Sequence, residues 1–254
     1  MSQLYYSQFN QDEIINIILE NKKEGVFIDI GAYDGITYSN SYFFEKFNNW
    51  SGVCFEPNPI IFKNLSKVRN STLINGGVSI KKSTLTYKRF SGNQGLEMLG
   101  GFSDFFNEEQ LLRIEDELKN QKDSASESIL IQTYVLNDIL KEKKINKIDY
   151  CSIDTEGGEF EILKTINFDE NYFSTLSIED NCEPQKVINY MKSKGFVFLF
   201  IWKCDLFFIN KELNLGFNSK LKLSKYYINY HLKKTGILYK AFNFMYKTFI
   251  SKNL

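Results

Sequence analysis

Short, continuous apolar runs alternate with amphipathic stretches along most of this chain, and that alternation limits the folds open to it more than any other feature. Residues 12–21 (DEIINIILEN) have near-helical apolar spacing, Gly25 to Ile30 reads as a buried strand, and SYFFEKF after Ser39-Asn40-Ser41 reads as a capped helix. GVCFE then gives a second strand ending at Glu56, Pro57 and Pro59 open the helix IIFKNLSKV, and STLINGGVSI gives a third strand. Strands without polar alternation are buried on both faces, so the pattern predicts an α/β fold with a mainly parallel sheet between helical layers.

The middle is less regular. TLTYKRF alternates like a strand, residues 91–103 form a loop with glycines at 92, 95, 100 and 101, EEQLLRIEDELKN is helical, and KDSASES reads as a mobile polar stretch. The sheet pattern is expected to resume with ILIQTYVL, IDYCSID and TLSIE, separated by helices over NDILKEKK and EFEILKTI. A further helix, EPQKVINYMKSKG, leads to FVFLFIWKCDLFFIN, which is too long for one strand. A tight turn at Lys203-Cys204-Asp205 predicts an antiparallel hairpin closing the sheet.

Eight of the 31 lysines and arginines, and none of the 31 acids, follow Glu212, so an acidic body carries a basic tail. This divides the chain into a main domain over 1–212 and a helical, aromatic and basic appendage over 213–254. The tail interleaves aromatics with lysines. One role for it is contact with an anionic membrane surface; another is packing against the domain or a second subunit as a homo-oligomer. Arginine contributes 3 of the basic residues and lysine 28, a bias resembling that of AT-rich bacterial genomes and a poor basis for specific nucleic-acid readout. The N-terminal residues show no signal-peptide pattern and no run of 18 apolar residues occurs, so a cytoplasmic protein is expected, with any membrane contact peripheral at the inner face. Cys54, Cys151, Cys182 and Cys204 show no paired spacing and read as ordinary thiols in a reducing compartment.

In an open parallel sheet, ligands settle beyond the carboxyl ends of the strands, at the switch point. The first strand ends in FIDIGAYDG, where Gly31 bares main chain to a ligand and Asp29 and Asp34 flank the turn. This is not the G-x-G-x-x-G pyrophosphate fingerprint, which argues against a nicotinamide-dependent oxidoreductase, and the two acids would repel a pyrophosphate. They suit an ammonium or a sulfonium. Glu56, 25 residues after Gly31, stands where an acid takes ribose hydroxyls. Ribose and cationic groups without phosphate describe S-adenosylmethionine.

Four stretches resemble the FkbM family of S-adenosylmethionine-dependent methyltransferases: SQFNQD (7–12), FIDIGAYDGITYSNSYFFE (27–45), GVCFEPNP (52–59) and IDYCSIDTEGGEFEIL (148–163). The resemblance implies a Rossmann-like class I methyltransferase fold. It also implies that Asp29, Gly31 and Asp34 line the methionine end of the cofactor and Glu56 the ribose. Asn58, Ser39 and Asn40 lie near by, Gly76 and Gly77 lie near the adenine, and Gln8 and Asp12 belong to the N-terminal motif. Family members commonly methylate hydroxyls of sugars, glycans or polyketides. A nucleotide-activated sugar or a residue of a surface polysaccharide is the acceptor expected here. A non-catalytic partner or scaffold in a glycan-assembly complex is the alternative of a different class.

A sugar hydroxyl is a reluctant nucleophile and needs a base. The single histidine, His231, falls in the tail, which leaves the carboxylates Asp154, Glu156, Glu159 and Glu179. Glu159 has the competing role of tying its loop to nearby N–H groups. Asp154, Asp180 and Asn181 form an arrangement similar to the magnesium site of catechol O-methyltransferases, and Mg²⁺ or Mn²⁺ there would acidify the hydroxyl; the plainer reading of Asp180 and Asn181 is a turn. The glycine-rich loop is the expected lid, with Met98 and Phe102 shielding the reacting centre.

Overall fold

The computed structural model describes residues 4–92, 95–120, 124–179 and 183–235. Helix α1 (Gln11–Ile18) carries Asp12 and Glu13 in its first turn, where the helix dipole favours acids, and buries Ile14, Ile15 and Ile18. Strand β1 (Val26–Ile30) leads to α2 (Tyr42–Asn48). The hydroxyl of Ser39, not of the N-cap residue Ser41, accepts the Tyr42 N–H at 3.1 Å to cap α2. After β2 (Ser51–Glu56), α3 (Pro59–Val68) starts with Pro59 in its first turn and with the Asn58 side chain accepting the Ile60 N–H.

Next come β3 (Thr72–Asn75), β4 (Gly77–Val78), β5 (Ser83–Ser91), β6 (Gly101–Phe102), α4 (Glu108–Asn120), β7 (Ala125–Tyr134) and α5 (Leu136–Glu142). The chain closes with β8 (Lys147–Ile153), α6 (Glu159–Thr165), β9 (Tyr172–Glu179), α7 (Pro184–Ser193), β10 (Phe196–Trp202), β11 (Asp205–Asn210) and α8 (Phe217–Thr235).

The main sheet has seven strands in the order β3-β2-β1-β8-β9-β11-β10. The five from β3 to β9 run parallel, whereas β11 is antiparallel to both β9 and β10. The hairpin turns at Lys203 and Cys204, with Lys203 left-handed at φ 60°. Alternate residues of each buried strand serve opposite layers. Ile28, Ile30, Val53, Phe55 and Ile153 pack with Leu140 of α5, Leu163 of α6 and Met191 of α7. Phe27, Cys54 and Tyr150 pack with Ile14 of α1, Phe44 of α2 and Leu65 of α3. Continuous apolar strands are therefore the direct mark of a sheet covered on both sides.

Three expectations for the middle of the chain need correction. STLINGGVSI is not one strand: β3 ends at Asn75, and β4 pairs instead with β7 in a second, four-stranded sheet ordered β4-β7-β5-β6. Gly76 and Gly77 permit the crossing, because a Cβ at Gly76 would strike the Gln132 carbonyl and one at Gly77 would strike the Phe102 ring. ILIQTYVL does not return to the main sheet but forms most of β7, antiparallel to β5 from Ser83↔Thr133 to Ser91↔Ala125. Residues 125–128, expected to be mobile, belong to this ladder, their polar side chains facing solvent while the main chain is paired. Residues 121–123 lie outside the described residues.

In the tail, Leu223 and Tyr226 of α8 join the core, with the Tyr226 ring stacked on Phe200 at 5.8 Å and edge-on to Trp202 at 4.8 Å. Lys225 pairs with Glu13 of α1 at 3.1 Å. No described helix is long and apolar enough to cross a membrane. Residues 236–254, which hold the rest of the proposed membrane-contact segment, lie outside the described residues.

Candidate active site

The carboxyl ends of β1, β2, β8 and β9 open into one pocket, floored by the main sheet and roofed by the second sheet. β1 has neighbours on both sides, β2 following it in the chain and β8 reached only after the inserted sheet, so the pocket sits at the topological switch point.

On the floor, Asp29 is 2% exposed and its carboxylate accepts a hydrogen bond from the Ser41 hydroxyl. Burial drives its pKa upward, against the nearby charge of Arg69. Arg69 is itself 4% exposed and fully engaged: Nε donates to Glu45 at 2.7 Å, Nη2 to the Ser41 hydroxyl at 2.8 Å and Nη1 to the Gly35 carbonyl at 3.2 Å. Gly31 does line the pocket, but the space where its Cβ would be is occupied by the Asp154 carbonyl, and its N–H donates to Phe55 O at 3.0 Å. At φ 97°, its glycine identity answers to a strand junction rather than to a ligand's approach.

Glu56, 6% exposed, accepts the Tyr33 N–H on Oε2 at 3.0 Å and the Asn58 N–H on Oε1 at 2.7 Å. Burial pushes its pKa up to about 7 despite those two donors. Asn40, 5% exposed, donates from Nδ2 to Ser152 Oγ at 3.0 Å, whereas its Oδ1 is buried without a partner. A buried acceptor left unpaired costs about 1–3 kcal/mol, a deficit that a donor on a ligand would remove.

Across the pocket, Asp154 and Glu179 stand side by side at the ends of the neighbouring parallel strands β8 and β9. Burial, then the charge of Glu179, raises the Asp154 pKa well above the carboxylate range. The same two causes lift Glu156 to about 8, opposed by Arg113, whose guanidinium lies 3.6 Å from it. Behind the pair, Asp205 is lifted to about 7 by burial and by Glu179, and it accepts a hydrogen bond from Gln11 at 2.8 Å. Glu159 takes its competing role, accepting from Thr155 N, Thr155 Oγ1 and Gly157 N at 2.9–3.0 Å.

The roof brings Tyr87, Met98, Phe102 and Phe105 over the pocket, and Tyr33 Oη donates to Glu97 at 2.8 Å, tying floor to roof. Met98 and Phe102 thus stand where a shielding role requires them. Asn93 and Gln94 of the expected lid lie outside the described residues.

Gln8, Asp29, Gly31, Ser39, Asn40, Glu56, Gly76, Gly77, Asp154, Glu156 and Glu179 all line this pocket. Three other expected contacts do not. Asp34 turns into its own loop, accepting Ile36 N and both Thr37 N and Oγ1 at 2.7–2.9 Å. Asp12 is buried against the Tyr6 and Ser7 main chain, and Asn58 is spent on capping α3. Of the residues expected to hold a metal, Asp154 belongs to the pocket, while Asp180 and Asn181 lie outside the described residues. No cluster of three or more candidate metal-binding side chains occurs among the described residues. His231 lies on α8 beside Tyr227 and Tyr230, away from the pocket wall.

Tyr33, Tyr87, Glu97 and Arg69 were not foreseen. Tyr87 was within reach through the inward positions of an alternating strand, and Arg69 through its rarity in a lysine-rich chain.

A parallel sheet covered on both faces, an acid at the end of its second strand and a roofed pocket at the switch point define a Rossmann-like class I methyltransferase. A family model for the methyltransferase FkbM domain matches residues 29–198, and the chain belongs to this S-adenosylmethionine-dependent family. Among solved structures, the chain is similar to the methyltransferase FkbM from Methylobacillus flagellatus KT, at 14% identity and a TM-score of 0.46, over 73% of this chain and 43% of that one. It therefore spans less than half the length of that protein. It is also similar to M. capricolum TrmK in complex with S-adenosylhomocysteine, at 15% identity and a TM-score of 0.43, over 94% and 88% of the two chains. The N-terminal domain of human METTL16 in complex with the same compound matches at 15% identity and a TM-score of 0.38, over 78% and 66%. No protein with a curated description matches the chain.

Proposed function

We propose that this chain methylates a sugar hydroxyl, carried by a nucleotide-activated sugar or by a residue of a bacterial surface polysaccharide. The observation that supports this most is the Asp154–Glu179 carboxyl pair, which faces the same pocket as Glu56 and Asn40. With the single histidine on α8, a carboxylate is the base available to an alcohol.

The wall fits S-adenosylmethionine. Asn40 Oδ1 lacks a donor, which the methionine ammonium would supply, with Asp29 and Gly31 at the same end. Each Glu56 oxygen has one main-chain donor, and its remaining lone pairs suit ribose hydroxyls. Gly76, Gly77 and Val78 provide the flat wall for a base. When bound, the cofactor supplies a methyl group on a positively charged sulfur. The chain's own part is to hold the acceptor oxygen in line, receive its proton on the Asp154–Glu179 pair and keep water out with Met98, Phe102 and Phe105.

Transfer of labelled methyl from the cofactor tests the reading, with activated sugars and surface polysaccharide as acceptors and products located by mass spectrometry. A gain of one methyl on a sugar oxygen is expected. Absence of cofactor binding, or methyl found only on a non-carbohydrate acceptor, would overturn it. In the same assay, loss of turnover on chelation would assign Mg²⁺ or Mn²⁺ to Asp154 with Asp180 and Asn181.

A further inference from the structure

The pocket wall includes the acids Asp29, Glu56, Glu97, Asp154, Glu156 and Glu179, and among the described residues no lysine, arginine or histidine. Most of these acids are balanced from within the chain. Asp29 has Ser41 and the neighbouring Arg69, Glu56 has two main-chain N–H groups, Glu97 has the Tyr33 hydroxyl, and Glu156 has Arg113. The pair Asp154 and Glu179 is different. None of the described ion pairs includes either residue, and Asp205 behind them adds a third acid to the same spot.

What this wall lacks is donors and positive charge. An incoming phosphate would meet several carboxyl groups and no counter-charge, whereas an ammonium between Asp154 and Glu179, at the ends of the neighbouring strands β8 and β9, would meet acceptors on both sides. We infer that the acceptor unit held in this pocket is an amino sugar whose ammonium sits at Asp154 and Glu179, and that no phosphate enters with it. This rests on the sugar-methyltransferase reading and narrows it: a polysaccharide residue bearing a free amine fits, and a sugar whose phosphate must lie inside the wall does not.

Calorimetry on the full chain loaded with S-adenosylhomocysteine tests the inference, using glucosamine, N-acetylglucosamine, glucose 6-phosphate and UDP-glucose as probes. Glucosamine is expected to bind roughly tenfold tighter than N-acetylglucosamine, its counterpart without the charge, with both phosphate-bearing probes weaker still. Glu179→Gln is expected to bring glucosamine and N-acetylglucosamine to within about threefold of each other while S-adenosylhomocysteine still binds. If glucosamine gains nothing over N-acetylglucosamine, including the case in which neither binds, the inference is overturned. Tighter binding of UDP-glucose overturns it as well. Failure to bind S-adenosylhomocysteine at all would instead remove the underlying reading of the site.

Discussion

The main-chain carbonyl of Asp154 occupies the space that a Cβ on Gly31 would fill, which locks β8 against the turn leaving β1. The Asp154 N–H donates to Ile30 O at 3.0 Å, while the Gly31 N–H reaches across to Phe55 O on β2. The glycine that ends β1 and the residue proposed as base are thus held in one main-chain junction. Gly31→Ala adds both an overlap with backbone and a strained φ of 97°. It is expected to cost roughly 3 kcal/mol or more, read by denaturant unfolding. An alanine variant of undiminished stability would show that the junction is not tight.

Glu56→Gln is expected to weaken S-adenosylmethionine binding by about tenfold. Both carboxylate oxygens accept main-chain N–H groups, so the amide of glutamine must turn its NH₂ toward Tyr33 N or Asn58 N and lose one bond, at about 1–3 kcal/mol. Titration calorimetry together with thermal unfolding separates the two losses.

Asp34→Ala should behave differently. Its carboxylate serves Ile36 and Thr37, so the variant is expected to lose about 1 kcal/mol of stability while cofactor affinity stays within about threefold. A loss of affinity as large as that of Glu56→Gln would return Asp34 to the cofactor.

Asp154→Asn removes the proposed proton acceptor while keeping the side chain's shape. Turnover is expected to fall by about 10²–10⁴-fold with S-adenosylhomocysteine affinity nearly unchanged. In the parent enzyme, activity should rise with pH beyond the ordinary carboxylate range, because burial and Glu179 keep Asp154 protonated at lower pH. Pre-steady-state and pH-rate measurements read both effects.

Stability should move the other way. Glu56 and Asp205, each raised to about 7, keep protons in the folded chain that the unfolded chain releases in the ordinary carboxylate range. The folded state binds more protons between those limits, so stability falls as pH rises from about 4 through 7 and levels off above it; Glu156, at about 8, extends the decline. Each buried group contributes on the order of 3–5 kcal/mol at most. Thermal unfolding of the ligand-free chain from pH 5 to 9 should show this decline, and Glu56→Gln should make it shallower.

The main sheet was legible because burial on both faces imposes strands that are apolar on both faces rather than alternating, a local signature visible in FIDI, GVCFE and IDYCSID despite their few polar residues. The motif positions at strand ends were legible too, since Glu56, Asp154 and Glu179 sit where the last paired residue meets the rim. Two kinds of feature were not. The second sheet depends on pairing between residues 34 to 50 apart, from Ser91 with Ala125 to Ser83 with Thr133, and no periodicity announces the partner of a strand. The direction of a short acidic side chain was equally hidden: Asp29 and Asp34 flank the same turn, yet one faces Ser41 at the pocket and the other folds back on Thr37. Local main-chain donors decided that difference, and they follow from backbone dihedrals that residue type does not fix.

The break at Gly76 has a lasting effect on how such a molecule can change. Because the peptide leaves one ladder at Asn75 and enters another at Gly77, the strands of floor and ceiling are paired in separate ladders. Mutations in the ceiling can remodel the cleft's shape without shifting the register of the strands beneath it, so new specificities can be drawn from the upper layer while the lower one keeps its geometry.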